Sequence, residues 1–239
     1  MQLTRSPLMK KMTFAVDIDG TITENGGGRI NLNALHSLRY IRKLGHNVIF
    51  VSGRSSVEGY LLAVYGGLNT IAVGENGGCI THGPNEHILL GDKKKCLQAL
   101  SLIQSKLNNV VEKPVFPRMT EVVLQRTFDI NDAKRVVQEN NMNVILSDSQ
   151  YAIHINSSGI DKSVGLREVM KRLQISSDDL ICIGDSETDI PMFKTAKLSI
   201  AVGNASDEVK SQASMVVTGN SGDGVIEALE KIVPTILES

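Results

Sequence analysis

A chain of 239 residues with 41% hydrophobic content can bury a substantial core, as one large domain or two small ones. Its 25 basic residues against 26 acidic ones leave a formal net charge of -1, without the charge excess that nucleic acid or an anionic membrane calls for. Neither is an expected partner, and an anionic substrate must be met by local groups.

In chain order, Met1 to Lys11 holds no apolar stretch resembling a signal peptide, and nowhere does a run approach the ~18 apolar residues of a membrane span. The first apolar run, Phe14-Ala15-Val16, reads as a strand. After Asn33, Leu35, Leu38, Ile41 and Leu44 recur at helical spacing, and Gly45 stands where a C-cap glycine belongs. A second strand follows at Val48 to Val51. From about Thr81 to Asn156 the pattern changes: a polar helix over Lys93 to Leu107, a strand at Glu121 to Leu124, and a helix near Asn131 to Asn140. Two close strands come next, Asn143 to Leu146 and Tyr151 to Ile155, joined by Ser147-Asp148-Ser149-Gln150 as a hairpin. Leu166, Val169, Met170 and Leu173 then mark a helix beginning near Ser163. Leu180 to Ile183 is another apolar run. Strands at Ser199 to Val202 and Met215 to Val217 flank a helix over Asp207 to Ala213.

Strands alternating with helices predict an α/β fold: a doubly wound, Rossmann-like parallel sheet covered by helices. The middle stretch predicts a smaller α+β insertion. The expected division is a core over 1–82, an inserted domain over 83–157 and the rest of the core over 158–239, with borders near Gly83-Pro84 and Ser157-Ser158-Gly159. Glycines near Gly26 and Gly83 would permit hinge motion. Cys79, Cys96 and Cys182 form no CxxC pair, which suits reduced thiols packed as small hydrophobes in a cytoplasmic protein.

Three of the apolar runs end alike. Phe14 to Val16 leads into Asp17-Ile18-Asp19-Gly20-Thr21, Val48 to Val51 into Ser52-Gly53-Arg54, and Leu180 to Ile183 into Gly184-Asp185-Ser186-Glu187-Thr188-Asp189. In an open α/β sheet the ligand crevice lies outside the carboxyl ends of the strands, so these tips can converge. Carboxylates gathered there repel one another, so some stay protonated or a cation sits among them. Oxygen ligands favour Mg²⁺ or Ca²⁺ over Zn²⁺. An EF-hand is excluded by spacing, because Gly20 is the fourth residue after Asp17 is counted as first, not the sixth, and Ile190 takes the sixth place counted from Asp185. Mg²⁺ is the expected cofactor.

With these residues placed, the chain resembles the haloacid dehalogenase-like phosphohydrolases. The resemblance rests on Asp17-Ile18-Asp19-Gly20-Thr21, on Ser52 after a strand, on Lys162, and on the Gly184 to Asp189 stretch, all in order. It implies that the insertion is an α/β-type cap, that Asp17 is a nucleophile and Asp19 an acid/base that also offers its carbonyl to Mg²⁺. The short cap after Gly74-Glu75-Asn76-Gly77-Gly78 and Lys162 in Gly159-Ile160-Asp161-Lys162-Ser163 look most like archaeal phosphoglycolate phosphatases within that family. That likeness implies a small phosphorylated metabolite as substrate, with 2-phosphoglycolate, hydrolysed to glycolate and phosphate, as the expected one. A homodimer stays an open option.

The chemistry can also be argued from the residues. A carboxylate at the first strand's tip can attack phosphorus and form an aspartyl-phosphate. Asp19, two residues on, lies on the same side of an extended segment as Asp17 and can protonate the departing alkoxide. Thr21, Ser52, Gly53 and Lys162 are the candidate substrate-binding residues, with Ser52 donating its hydroxyl, backbone N–H groups at Gly53 and near Thr21 as further donors, and Lys162 supplying positive charge. The candidate metal ligands are Asp17, Asp19, Asp185 and Asp189. A sugar-phosphate phosphatase or phosphomutase fits the same motifs, and a phospho-acceptor signalling module without turnover is the alternative of another class.

Other features carry less. Gly26-Gly27-Gly28 lacks GxGxxG spacing and reads as a flexible loop, His82 and His87 as loop residues, and Lys93-Lys94-Lys95 as a solvated helix start. Arg118 is a cap residue suited to binding a carboxylate.

Overall fold

The computed structural model describes residues 10–24, 28–149 and 151–237. Gly26 and Gly27, expected as a hinge loop, and Gln150 of the expected hairpin turn lie outside the described residues.

The chain opens with β1 (Thr13–Val16), the short strands β2 (Thr23–Glu24) and β3 (Arg29–Ile30), helix α1 (Leu32–Lys43), β4 (Asn47–Val51) and α2 (Ser56–Gly66). A meander β5 (Ala72–Gly74), β6 (Cys79–Gly83) and β7 (Glu86–Leu89) follows, then α3 (Lys93–Lys106), β8 (Val122–Leu124), α4 (Ile130–Glu139), β9 (Val144–Asp148) and β10 (Ile153–Ser157). The last part holds α5 (Lys162–Leu173), β11 (Leu180–Gly184), α6 (Ile190–Phe193), β12 (Leu198–Ala201), α7 (Asp207–Gln212), β13 (Met215–Val216) and α8 (Ser221–Leu237). No helix among the described residues is long and apolar enough to cross a membrane.

One compact unit comprises the residues up to Phe50, Leu62–Thr70 and those from Met170 onward. Its strands run in the order β13-β12-β11-β1-β4, every neighbouring pair parallel. β1 lies between β11 and β4, pairing Val16 with Ile183 on one side and with Phe50 on the other. All residues of β1, β4 and β11 are buried, which is why these strands are written as unbroken apolar runs and not as an alternation. The α/β class is therefore as expected.

Helix α1 begins at Leu32 because Asn31 caps it, its side chain accepting from the N–H groups of Asn33 (3.0 Å) and Ala34 (3.1 Å). Gly45 closes it as expected, with φ of 98° just beyond the last turn. The long α8, which packs on α1, was not among the expected elements.

The other unit comprises Val51–Leu61 and Ile71–Val169. Here β5, β6 and β7 pair antiparallel, and a separate antiparallel sheet runs β8-β10-β9. Ile153 and Ile155 of β10 join Val122, Leu124, Val144 and Leu146 in an apolar core completed by Cys96, Ala99, Leu100 and Ile103 of α3 and Ala133 and Val137 of α4. His154 and Asn156 alternate with those isoleucines and so stand on the other face of the sheet.

Several local expectations shift. The hairpin strands end and begin two residues later than the hydrophobic pattern suggests, at Asp148 and Ile153, because the turn is closed by Ser149, whose N–H and hydroxyl both bond the Ala152 carbonyl. His82 and His87 are strand residues, not loop residues: His82 pairs with Glu86 at 3.0 Å and His87 bonds Thr81 at 2.9 Å. Gly83 and Pro84 sit where β6 turns into β7. Lys93 is not simply solvated, since its ammonium donates to the Glu121 carbonyl.

Candidate active site

In the first unit, β1 delivers Asp17 directly into the sheet's end, its N–H still bonded to the Ile183 carbonyl of β11 at 3.0 Å. β11 ends in turn at Gly184 and hands on to Asp185 and Asp189. Asp17, Asp185 and Asp189 each offer a carboxylate oxygen, and these atoms lie within 4.8 Å of one another. Asp17 and Asp189 are buried and Asp185 half-buried. Three carboxylates so close repel one another when ionised, so a shared proton or a positive charge stabilises the arrangement. The donor set is oxygen only, which fits Mg²⁺ and not a thiophilic metal.

Neutral donors help to hold the cluster. Thr21 Oγ1 stands 3.2 Å from Asp17 Oδ2 and 3.0 Å from Asp185 Oδ1. Asp189 Oδ2 accepts from the Asp185 N–H (3.0 Å), the Ser186 N–H (2.9 Å) and the Ser186 hydroxyl (3.0 Å), so one of its oxygens folds the loop back on itself. Gly20 has φ of 80°, and a Cβ there would fall 2.2 Å from Asp185 Oδ2. Glycine is thus required twice over at that position. The N–H groups near Thr21 are used within the turn: Gly20 donates to Thr23 Oγ1 (3.0 Å), and Thr21 and Ile22 to the Ile18 carbonyl (3.3 and 2.9 Å). Asp19 is half-buried beside them.

Sequence reasoning missed Asn204. Its Nδ2 donates to the Gly20 carbonyl at 3.0 Å and to Asp185 Oδ2 at 3.2 Å, and its Oδ1 accepts the Ser221 N–H at 2.6 Å. The available signal was position: Val202-Gly203-Asn204 follows β12, the next parallel strand, as Asp185 follows β11.

The second unit carries the other expected residues. Ser52 is buried, its N–H bonded to the Val73 carbonyl at 2.9 Å and its hydroxyl oxygen accepting from the Arg54 N–H at 3.1 Å. Lys162, also buried, is the first residue of α5, whose opening turn is capped by Asp161 through the Ser163 N–H at 2.8 Å and hydroxyl at 2.6 Å. One turn meets both places. Glu75, Asn76 and Gly77 have φ of 54°, 52° and 97° in succession, a left-handed stretch that is costly for the two non-glycine residues. Asn76 Oδ1 lies 3.0 Å from where a Cβ on Gly53 would be, and a Cβ on Gly77 would fall 1.9 Å from the Asp161 carbonyl oxygen. The strained turn is fastened by Glu75. Its fully buried carboxylate accepts from the Met119 N–H (2.9 and 3.0 Å), the Thr120 N–H (2.7 Å) and the Thr120 hydroxyl (2.7 Å).

The cysteines are poor nucleophiles. Burial pushes the thiols of Cys79 and Cys96 up to about 11, and that of Cys182 further, where the Asp189 charge adds to the effect. The reactive groups of the site are its oxygens.

Comparison with known proteins identifies the family. The sequence profile of the haloacid dehalogenase-like hydrolases matches residues 14–111 and 105–229. A phosphoglycolate phosphatase of Nitrosopumilus maritimus is 63% identical over 230 residues, covering 96% of this chain and 100% of the relative. One from Archaeoglobus fulgidus is 38% identical, over 93% of this chain and 97% of its own. Among solved structures, a Thermoplasma acidophilum protein superimposes with a TM-score of 0.84 at 22% identity, covering 93% of this chain and 98% of its own. A haloacid dehalogenase-like hydrolase from Bacteroides thetaiotaomicron gives 0.76 at 20% identity, over 93% and 100%. At such identities the structural matches speak for the fold alone, but the sequence matches span nearly the whole chain, and this protein belongs to the haloacid dehalogenase-like hydrolases.

Proposed function

We propose that this chain is a Mg²⁺-dependent phosphomonoester hydrolase that works through an aspartyl-phosphate on Asp17, with 2-phosphoglycolate as its substrate. The observation that carries the reading is the Asp17, Asp185 and Asp189 cluster at the ends of two adjacent parallel strands. The substrate rests on the relatives, which are named phosphoglycolate phosphatases and align over nearly all of the chain.

In this reading Asp17 Oδ attacks phosphorus, the bond from phosphorus to the glycolate oxygen breaks, and Asp19 gives that oxygen its proton. Asp19 then takes a proton from water, whose oxygen attacks the same phosphorus and releases phosphate from Asp17. Negative charge spreads over the equatorial oxygens during each transfer, so positioned donors and cations do most of the work. Ser52, the Gly53 N–H and Lys162 are the proposed donors to the phosphoryl group, with Thr21 ordering the carboxylates. Bound Mg²⁺, held by Asp17, Asp185, Asp189 and the Asp19 carbonyl, would neutralise the crowded charge. The apolar core between Cys96 and Ile155 is self-contained, which supports residues 83–157 as a cap domain between the two parts of the core. Three free cysteines support a cytoplasmic address.

Phosphate release from a panel of phosphorylated metabolites, in Mg²⁺ and in EDTA, tests the reading. Turnover that needs Mg²⁺ and favours 2-phosphoglycolate supports it. A clear preference for a sugar phosphate would move the substrate while leaving the chemistry, and a single phosphoryl group bound per chain without release would defeat the hydrolase reading.

A further inference from the structure

We propose that Arg118 is a positioning residue for the phosphate-binding loop, setting the Ser52 hydroxyl through the peptide that joins Gly53 to Arg54. The proposal rests on the phosphatase reading above, with Ser52 as a donor to the phosphoryl group.

Arg118 Nη1 donates to the Gly53 carbonyl at 2.6 Å. The N–H of that same peptide, belonging to Arg54, donates to Ser52 Oγ at 3.1 Å. In a planar trans peptide the carbonyl and the N–H point in opposite directions, so a grip on the first fixes the aim of the second. With the Arg54 N–H on one lone pair of Ser52 Oγ, the hydroxyl hydrogen is left to point elsewhere, as a donor to a ligand must.

The grip is itself braced. Arg118 Nη1 lies 3.0 Å from Glu121 Oε1, with the two side chains 7% and 0% exposed. That approach is ionic, off the hydrogen-bond direction, as Oε1 accepts no hydrogen bond among the described residues. Glu121 Oε2 meets His154 Nδ1 at 3.1 Å, and Lys93 holds the Glu121 carbonyl. Ser55 adds a second stitch, its hydroxyl donating to the Pro117 carbonyl at 3.1 Å. Residues 117–121 thus grip the loop at two points, and a buried charge pair of this kind fixes geometry more than it adds stability. Arg118 Nε, buried and with no hydrogen-bond partner among the described residues, is the feature that a role in contacting the leaving group would use instead.

A double-mutant cycle separates these roles. Arg118→Met combined with Glu121→Gln removes the ion pair without leaving either charge orphaned. Its kcat/KM, on 2-phosphoglycolate and on p-nitrophenyl phosphate at saturating Mg²⁺, is expected to fall on both by up to about 100-fold, the effect of misplacing a group by an ångström. In a Ser52→Ala background the same change should cost no more than about 3-fold, because the hydroxyl it positions is gone. If the full loss persists without Ser52, or if it is confined to KM for the carboxylate-bearing substrate, the proposal is overturned. Should thermal melting show the combined variant unfolded, Arg118→Lys, which keeps the charge but not the reach, carries the same cycle with the same criteria. Wild-type protein inert toward both substrates would instead defeat the phosphatase reading beneath the proposal, a result that needs no variant to recognise.

Discussion

Asn204 Nδ2 lies 3.2 Å from Asp185 Oδ2 and 3.0 Å from the Gly20 carbonyl, so one side-chain amide ties the loop after β11 to the loop after β1. Both loops carry carboxylates of the acidic cluster. Asn204→Ala removes one of the donors that orient Asp185, and outer partners of metal ligands are typically worth about 10- to 100-fold in affinity. The Mg²⁺ concentration for half-maximal activity should rise by that order, with kcat at saturating Mg²⁺ changed much less. A Mg²⁺ titration of initial rates checks it; an unchanged midpoint would show that Asn204 does not order the cluster.

Glu75 is buried with both oxygens committed to Met119 and Thr120. Glu75→Ala would leave those two N–H groups without their acceptor and release the left-handed turn that it fastens. Each buried unsatisfied group costs about 1–3 kcal/mol, so urea unfolding should show a loss of about 2–5 kcal/mol. A loss below about 0.5 kcal/mol, the level of an ordinary surface substitution, would contradict this account of the turn.

His46 gives the fold a defined acid sensitivity. Burial, with a smaller contribution from Lys11, holds its pKa below the ordinary 6.5, and its Nδ1 accepts the Met12 N–H at 3.1 Å, which only an unprotonated nitrogen can do. The native state therefore binds fewer protons here than the unfolded chain. Its contribution is fully present above pH 6.5 and declines as the pH falls below that value. Urea midpoints between pH 7.5 and 5 should fall more steeply for the wild type than for His46→Gln, and parallel slopes would remove His46 as the cause.

How much of this was legible in the sequence depended on how local the cause was. The tips of β1 and β11 could be read because a strand buried on both faces has to be an unbroken apolar run, and the aspartates that follow such a run stand out. The stop of helix α1 was read correctly at Gly45, since Leu35, Leu38 and Ile41 carry its face, but its start lies two residues before the expected one because Asn31, not Asn33, is the cap. Asn204 could not, because its importance comes from hydrogen bonds to residues 184 and 19 positions away. Glu75 was hidden for a similar reason: within Gly74 to Gly78 nothing local shows that the donors to its carboxylate lie 44 and 45 positions on. The β9–β10 hairpin was displaced by two residues because Ser149 closes the turn with its hydroxyl, a contact that hydrophobic alternation does not report. His82 and His87 looked like loop residues beside Gly83 and Pro84, yet those two residues mark the bend of a hairpin whose strands carry both histidines.

The central claim is that Asp17 is the nucleophile, and the most direct measurement is kcat for Asp17→Asn beside the wild type, on 2-phosphoglycolate with Mg²⁺. The substitution keeps size and shape, so folding, followed by the thermal midpoint, should stay close to that of the wild type. The account predicts turnover reduced by at least about 10³-fold, since an amide cannot form the acyl phosphate through which both steps pass. Wild-type turnover in Asp17→Asn would contradict it.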